Sequence, residues 1–167
     1  MITDEERYLK DESFVVRPGD GTIVGRGGYG AMEIRVRSEQ TGGAWAMVEA
    51  VVPPESVGPP LHINTQEDET FYVLEGAIVM QLGERKVSLA QGSVGYVPKG
   101  SVHTFCNPYK EPARLLGFIA PGGFERFFEE SEELASATPP GEQPDMGKLM
   151  ALTRKYGGVV VGPPIRE

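Results

Sequence analysis

The chain has 167 residues, of which 40% are hydrophobic, and this is enough to bury the core of a single domain. Its 16 basic and 24 acidic residues give a net charge of -8, which would repel both a nucleic acid backbone and an anionic membrane surface. We therefore expect neither nucleic acid nor a membrane as a partner.

Cysteine usage and the first residues bear on the cellular compartment. Cys106 is the only cysteine, so no internal disulfide can form. The N-terminal stretch MITDEERYLKDE is acidic where a secretory signal is basic, and it lacks an apolar core. No apolar run approaches the ~20 residues that span a bilayer. These features predict a soluble, cytoplasmic protein.

Short hydrophobic segments alternate with turn residues along most of the chain. The 22 glycines and 14 prolines are too many for a helical bundle. The first predicted strand covers residues 13–17 and ends at a proline and glycine turn. Residues 32–37, MEIRVR, alternate strictly and predict a half-buried strand. The further predicted strands are 45–52, 70–74, 77–82, 86–89, 93–97, 102–105 and 114–119. Their even spacing predicts an all-β sandwich or barrel.

The end of the chain has a helical pattern. Within residues 123–135, phenylalanines and a leucine recur at helical spacing and leave five glutamates largely outside that stripe. We expect this helix to pack its phenylalanines on the sheet and to expose its acidic run. A second helix is predicted at 145–156 and a last strand at 158–162. One domain over 1–167 follows, with a β core at about 13–120 and a C-terminal extension at about 121–167.

Two glycine-bounded stretches contain both histidines. The first is GPPLHINTQEDETFYVLEG, residues 58–76, and the second is GSVGYVPKGSVHTFCN, residues 92–107. Together they resemble the two conserved motifs of the cupin superfamily. The segments EDETFYVLEG, GGFERFFEE and YGGVVVGPP resemble single-domain cupins related to quercetin 2,3-dioxygenase. One position departs from the pattern, because Asn64 stands where cupins usually have a second histidine.

The resemblance implies a double-stranded β-helix, or jelly-roll barrel, which is usually a homodimer and holds a divalent metal in its mouth. The implied metal ligands are His62, Asn64, Glu69 and His103. Strand alternation supports this independently, because residues 62 and 64 of an extended segment point to one face. Two imidazoles and a carboxylate are also costly inside an apolar barrel unless a cation accompanies them.

The asparagine changes what the site can do. Without Asn64, the remaining ligands have the composition of the two-histidine, one-carboxylate triad of non-haem iron enzymes. An asparagine oxygen is either a weaker fourth ligand or an acceptor for metal-bound water. The identity of the metal stays open among iron, manganese, nickel, cobalt, copper and zinc.

The resemblance further implies a dioxygenase-type oxidoreductase acting on a small phenolic or enolic molecule. Glu69 is the candidate general base for the substrate's hydroxyl proton. Phe71, Val73, Met80 and Phe105 are the candidate apolar wall of the substrate pocket. Two alternatives stay open: a cupin isomerase, cyclase or lyase that uses the metal as a Lewis acid, and a non-catalytic cupin that binds a small molecule.

Three other features are interpreted as structural. Glu67 and Asp68 are expected to be solvated loop charges. The segment GRGGYG, residues 25–30, satisfies GxGxxG, but a strand pattern follows it where a dinucleotide site needs a helix. Strand alternation turns Cys106 away from the pocket, so we expect it to be a small buried hydrophobic residue.

Overall fold

A computed structural model describes residues 13–25, 30–139, 142 and 144–167. Within these ranges the chain forms twelve β-strands, one short 3₁₀ turn at Ser38–Thr41 and two α-helices. No helix in the described ranges is long and apolar enough to cross a membrane.

Six strands form the first sheet, and all of its neighbouring strands are antiparallel. Their bounds are β1 (Thr22–Val24), β2 (Met32–Val36), β3 (Ala46–Val52), β6 (Asp68–Glu75), β9 (Val94–Val97) and β11 (Ala113–Ala120). Their order across the sheet is β1-β2-β3-β11-β6-β9. The middle of this sheet therefore pairs strands that are far apart in sequence.

The remaining strands form the second antiparallel sheet. Their bounds are β4 (Ser56–Val57), β5 (Leu61–Asn64), β7 (Ala77–Leu82), β8 (Arg85–Ala90), β10 (Val102–Asn107) and β12 (Gly158–Gly162). The order is β12-β5-β10-β7-β8, and β4 pairs with β10. The last strand thus returns to the edge of the sheet that carries both histidines.

The main apolar cluster contains residues from both sheets, as expected when every second residue of a strand faces a shared interior. Val73 and Leu115 come from the first sheet, and Ile78, Met80 and Leu89 come from the second. Each of these side chains is buried. The predicted all-β jelly roll with C-terminal helices is confirmed.

Two helices follow the last strand of the first sheet, α1 (Glu125–Ser136) and α2 (Met146–Lys155). Phe124 and Phe128 pack against a second apolar cluster formed by Val24, Ile34, Ala46, Val48 and Ile119. The predicted packing of these phenylalanines on the sheet is therefore confirmed. The helices also touch each other, because the ring of Phe127 contacts the ring of Tyr156.

The predicted strand at residues 13–17 is wrong. This segment belongs to neither sheet, and Val15 is 79% exposed. Its β-branched residues suit a strand, but β-propensity is decided by packing against neighbouring strands. The first strand in the described part of the chain is instead β1, which lies after the turn. The other predicted strands and both helices are present, with ends that agree to within two residues.

The GRGGYG segment lies partly outside the described residues, at 26–29. Its flanking glycines, Gly25 and Gly30, have positive φ angles of 79° and 99°. Strand β2 follows the segment, in agreement with the predicted strand at 32–37.

The acidic run of α1 was expected to face solvent, and for Glu125 this is wrong. The Glu125 side chain is fully buried and accepts hydrogen bonds from the backbone N–H groups of Ser38, at 2.8 Å, and Gly123, at 2.7 Å. Burial alone would raise the pKa of this carboxyl, but the hydrogen bonds from Ser38 and Gly123 outweigh it, and the pKa is lowered. Helical periodicity does not reveal this role, because the partners lie outside the helix.

Candidate metal centre

The centre lies between the two sheets. Strands β5 and β10 are antiparallel neighbours that place His62 directly opposite His103, with ring centroids 4.2 Å apart. Glu69 comes from β6 of the other sheet. One ligand atom from each of these three residues lies within 4.8 Å of the other two. Residues remote in sequence are therefore brought together as one possible metal site.

Backbone carbonyls orient both imidazoles. Nδ1 of His62 lies 2.8 Å from the carbonyl oxygen of Pro60, and Nδ1 of His103 lies 3.1 Å from that of Ser101. A ring that donates its Nδ1 proton to a carbonyl keeps the Nε2 lone pair for a metal, and metal-ligating histidines commonly show this arrangement. The two carbonyls therefore favour the tautomer that coordination needs.

The two histidines differ in their electrostatic surroundings. Burial lowers the pKa of His62, and repulsion by His103 adds to this effect. Burial also acts to lower the pKa of His103, but its 2.9 Å contact from Nε2 to Oε2 of Glu69 outweighs burial, so the pKa is raised. Glu69 therefore already stabilises positive charge at the position where a cation would lie.

Asn64 belongs to the same cluster. Its side chain is 2% exposed, and its Nδ2 donates to Oε2 of Glu69 at 2.7 Å. Its Oδ1 is buried and has no hydrogen-bond partner within the described part of the chain. The amide nitrogen therefore orients Glu69, while the amide oxygen is a buried acceptor without a donor among these residues.

Glu67 was expected to be a solvated loop charge, and this is wrong. Its side chain is 4% exposed, and its Oε1 finds no hydrogen-bond partner among the described residues. Burial, with repulsion by Glu69 in second place, raises the pKa of Glu67 to about 7. Strand alternation could have revealed this, because Glu67 and Glu69 are two residues apart.

Asp68, between these two glutamates, behaves differently. It is partly exposed and accepts hydrogen bonds from the Tyr96 hydroxyl and the backbone N–H of Lys99, each at 2.9 Å. The first of these bonds ties the start of β6 to β9. Asp68 therefore supports the sheet from its outer side.

The predicted apolar wall divides into two layers. Phe71 and Phe105 follow Glu69 and His103 by two residues on their strands, are partly buried, and have ring centroids 5.9 Å apart. Val73 and Met80 are completely buried in the main apolar cluster. Only the two phenylalanines therefore retain exposed surface. Cys106 is completely buried, as expected.

Other residues of the two motifs shape the loops around the centre. Asn107 is buried and donates to the carbonyl oxygens of Val52 and Glu111. Gly100 has a φ of +83° and donates its N–H to the backbone oxygen of Asn64 at 2.7 Å. A side chain would strain this backbone conformation. These residues therefore hold the two motif loops against each other.

The composition of the cluster fits a cation. His103, Glu69 and Asn64 are buried together and His62 is partly buried, and within the described residues Oδ1 of Asn64 has no hydrogen-bond partner. Buried acceptors without donors are costly, and a metal ion with its bound water supplies the missing positive charge and donors. Two nitrogen ligands and one oxygen ligand suit a divalent transition metal.

Sequence comparison identifies a cupin domain at residues 48–119, which contain both motifs. Quercetin 2,3-dioxygenase of Bacillus subtilis is 33% identical over 67 residues, a region that covers 40% of this chain. The chain spans only 20% of that protein's length. The sequence similarity to that protein therefore covers less than half of this chain.

Solved structures resemble a larger part of the chain. KdgF from Halomonas sp. has 16% identity and a TM-score of 0.59, over 68% of this chain and 98% of its own. A predicted oxalate decarboxylase from Thermotoga maritima has 25% identity and a TM-score of 0.57, over 65% and 99%. The polyketide cyclase RemF from Streptomyces resistomycificus has 19% identity and a TM-score of 0.56, over 65% and 79%. Residues 48–119 therefore form a cupin domain, and the two-sheet fold and the paired motifs agree with that assignment.

Proposed function

We propose that this cupin is a metal-dependent oxidoreductase that uses dioxygen to oxidise a small phenolic or enolic molecule. The proposal rests on the cluster of His62, Glu69 and His103, in which Nδ1 of each imidazole faces a backbone carbonyl. The partial similarity to quercetin 2,3-dioxygenase supports the reaction type.

His62, Glu69 and His103 would hold one divalent transition metal. When bound, the ion supplies positions at which substrate and dioxygen can be activated. Asn64 has a separate role, because its amide donates to Oε2 of Glu69 and restricts how that carboxylate can turn. Its Oδ1, which has no partner among the described residues, would be a fourth, weaker ligand or an acceptor for a group bound at the centre.

The chain's own residues would handle the substrate and its proton. The carboxylate of Glu69 would take the hydroxyl proton of a phenol or enol. Phe71 and Phe105, each two residues along its strand from a proposed ligand, would exclude water on one side. Exclusion of water strengthens the hydrogen bonds that orient the substrate.

Metal content and oxygen uptake test the proposal together. Protein purified without added metal should contain about one equivalent of a transition metal and lose it in His103→Ala, because two ligands hold an ion poorly. A Glu84→Ala variant, changed in an exposed turn, should retain the metal. Quercetin is the first compound to test with an oxygen electrode.

The outcomes separate the three functions named for this fold. Metal together with oxygen uptake supports the oxidoreductase. Metal with substrate conversion but no oxygen uptake would contradict it and support a Lewis-acid isomerase, cyclase or lyase. No metal in either protein would contradict both and support a cupin that only binds a small molecule.

The homodimer and the cytoplasmic location stay predictions. A dimer would elute at twice the chain's mass of 18.1 kDa, and light scattering coupled to gel filtration measures this directly. A mass of one chain would contradict the predicted dimer.

A further inference from the structure

A cleft of about 240 Å³ lies beside the centre, between the loop before β6 and the C-terminal helices. Glu67 lines it from the loop, Phe124 and Arg126 from the start of α1, and Lys155 and Tyr156 from the end of α2. The predicted apolar wall of the substrate pocket contributes none of the residues that line this cleft. The cleft is therefore a separate feature of the described chain.

Backbone contacts hold both walls of the cleft in place. On one side, the backbone N–H and the hydroxyl of Thr65 donate to the carbonyl of Gly157 at 3.1 and 2.8 Å, which ties the end of α2 to the loop that carries Glu67. On the other side, Gly122 donates to the backbone oxygen of Gly43 at 3.0 Å. The carboxylate of Glu125 accepts a hydrogen bond from the backbone N–H of Gly123, the next residue along the chain from Gly122. The cleft is thus built by fixed turns.

The deepest polar group in the lining is the carboxyl of Glu67. It is almost completely buried, and its Oε1 has no hydrogen-bond donor among the described residues. Unpartnered buried acceptors are rare because they cost free energy. Glu67 precedes the proposed metal ligand Glu69 by two residues. A ligand that donates to Glu67 would therefore lie next to the centre.

The other lining residues have complementary chemistry. Phe124 and Tyr156 are partly buried and offer apolar ring surface. Arg126 and Lys155 are exposed, and they pair with Glu39 and Glu130 on the surface. Ion pairs at this exposure are weak, so both cations remain available to a ligand carboxylate. An acceptor, aromatic surface and two cations thus surround one small space.

We propose that this cleft binds a small aromatic hydroxy acid. Its hydroxyl group donates to Glu67, its ring lies against Phe124 and Tyr156, and its carboxylate faces Arg126 and Lys155. A single ring suits the volume, since drug-sized ligands occupy clefts of roughly 300–1,000 Å³. The inference goes beyond the proposed function and does not depend on it, because binding in this cleft needs neither a metal nor turnover.

Calorimetric titration with 4-hydroxybenzoate tests the proposal. Benzoate lacks the hydroxyl group and phenol lacks the carboxylate, so each should bind roughly tenfold more weakly than 4-hydroxybenzoate. Lys155→Gln should weaken 4-hydroxybenzoate about tenfold and leave phenol unchanged. Arg154→Gln removes the same charge from a neighbouring exposed residue outside the lining and should change neither.

The second arm removes the acceptor. In Glu67→Leu, 4-hydroxybenzoate and benzoate should bind equally, because only the hydroxyl distinguishes them. Glu84→Leu, in an exposed turn, is the control and should preserve the difference. Thermal unfolding of each variant shows that it is folded before titration.

Several results would overturn the inference. One is the absence of 4-hydroxybenzoate binding at millimolar concentration, and another is binding that neither Glu67→Leu nor Lys155→Gln changes. Metal content and oxygen uptake measured on the same preparations keep the two proposals distinguishable. Selective binding by protein that lacks a metal would refute the proposed function and leave the cleft standing. Oxygen uptake with quercetin but no binding of 4-hydroxybenzoate would refute the cleft proposal and support the proposed function.

Discussion

Two buried glutamates of this protein have opposite surroundings. Glu125, where α1 meets the sheet, accepts hydrogen bonds from two backbone N–H groups, and its pKa is lowered. Glu67, beside the candidate metal centre, has an unpartnered Oε1 within the described residues, and its pKa is raised to about 7. Burial is common to both. The difference lies in the donors: Glu125 has two backbone N–H donors, whereas Oε1 of Glu67 has none within the described residues.

The comparison predicts that removing Glu125 is costly. Glu125→Ala leaves the backbone N–H groups of Ser38 and Gly123 without their acceptor, so the free energy of unfolding should fall by about 3 kcal/mol. Urea denaturation at neutral pH measures this change in the free energy of unfolding. Glu133→Ala, at an exposed position of the same helix, should change stability by less than about 0.5 kcal/mol. Equal losses in the two variants would show that the buried carboxylate contributes nothing specific.

The contribution of Glu125 should also depend on pH. Its folded pKa lies below the ordinary value of 4.5, so the unfolded chain takes up the proton at the higher pH. The contribution is therefore fully present above pH 4.5 and is lost as the pH falls through the lowered folded pKa. The difference in unfolding free energy between the wild type and Glu125→Gln should shrink below pH 4.5. A difference that stays constant down to acid pH would contradict the hydrogen-bonded, ionised state.

The sequence predicts features that depend on local residue patterns better than features that depend on contacts between remote segments. Alternation and turn residues predicted most strands, because each is a local pattern, and the motif spacing predicted the cluster of His62, Glu69 and His103. The strand at 13–17 failed because pairing depends on a partner strand that local propensity does not reveal.

The two glutamates show the same limit at the level of single side chains. The expectation that Glu125 is solvated failed because its acceptor role depends on Ser38, which is 87 residues away. Glu67 was obscured by its position within an acidic run, although its spacing from Glu69 placed both on one face of an extended chain. Contacts between remote segments therefore decide which charges are buried.

The next prediction concerns Asn64, in the candidate metal centre. Asn64→His would add a third imidazole beside Glu69, so metal should dissociate to a chelator about tenfold more slowly than from the wild type. Asn64→Ala is the companion variant, and it should lose metal faster because it removes the 2.7 Å hydrogen bond that orients Glu69. Retention that is unchanged in Asn64→His would show that position 64 does not face the ion.

Removing the Glu67 carboxyl should have the smallest effect on stability, and in the opposite direction to removing that of Glu125. Glu67→Leu replaces a buried, partly unpartnered carboxyl with an apolar side chain, so metal-free protein should be unchanged or more stable by about 1 kcal/mol. Glu84→Leu, in an exposed turn, serves as the reference for the substitution itself. Denaturation of chelator-treated protein at pH 8 measures the effect where Glu67 is mostly ionised, since its pKa is about 7. A loss as large as that of Glu125→Ala would mean that Glu67 also has donors, and that its raised pKa does not mark a site prepared for a ligand or cation.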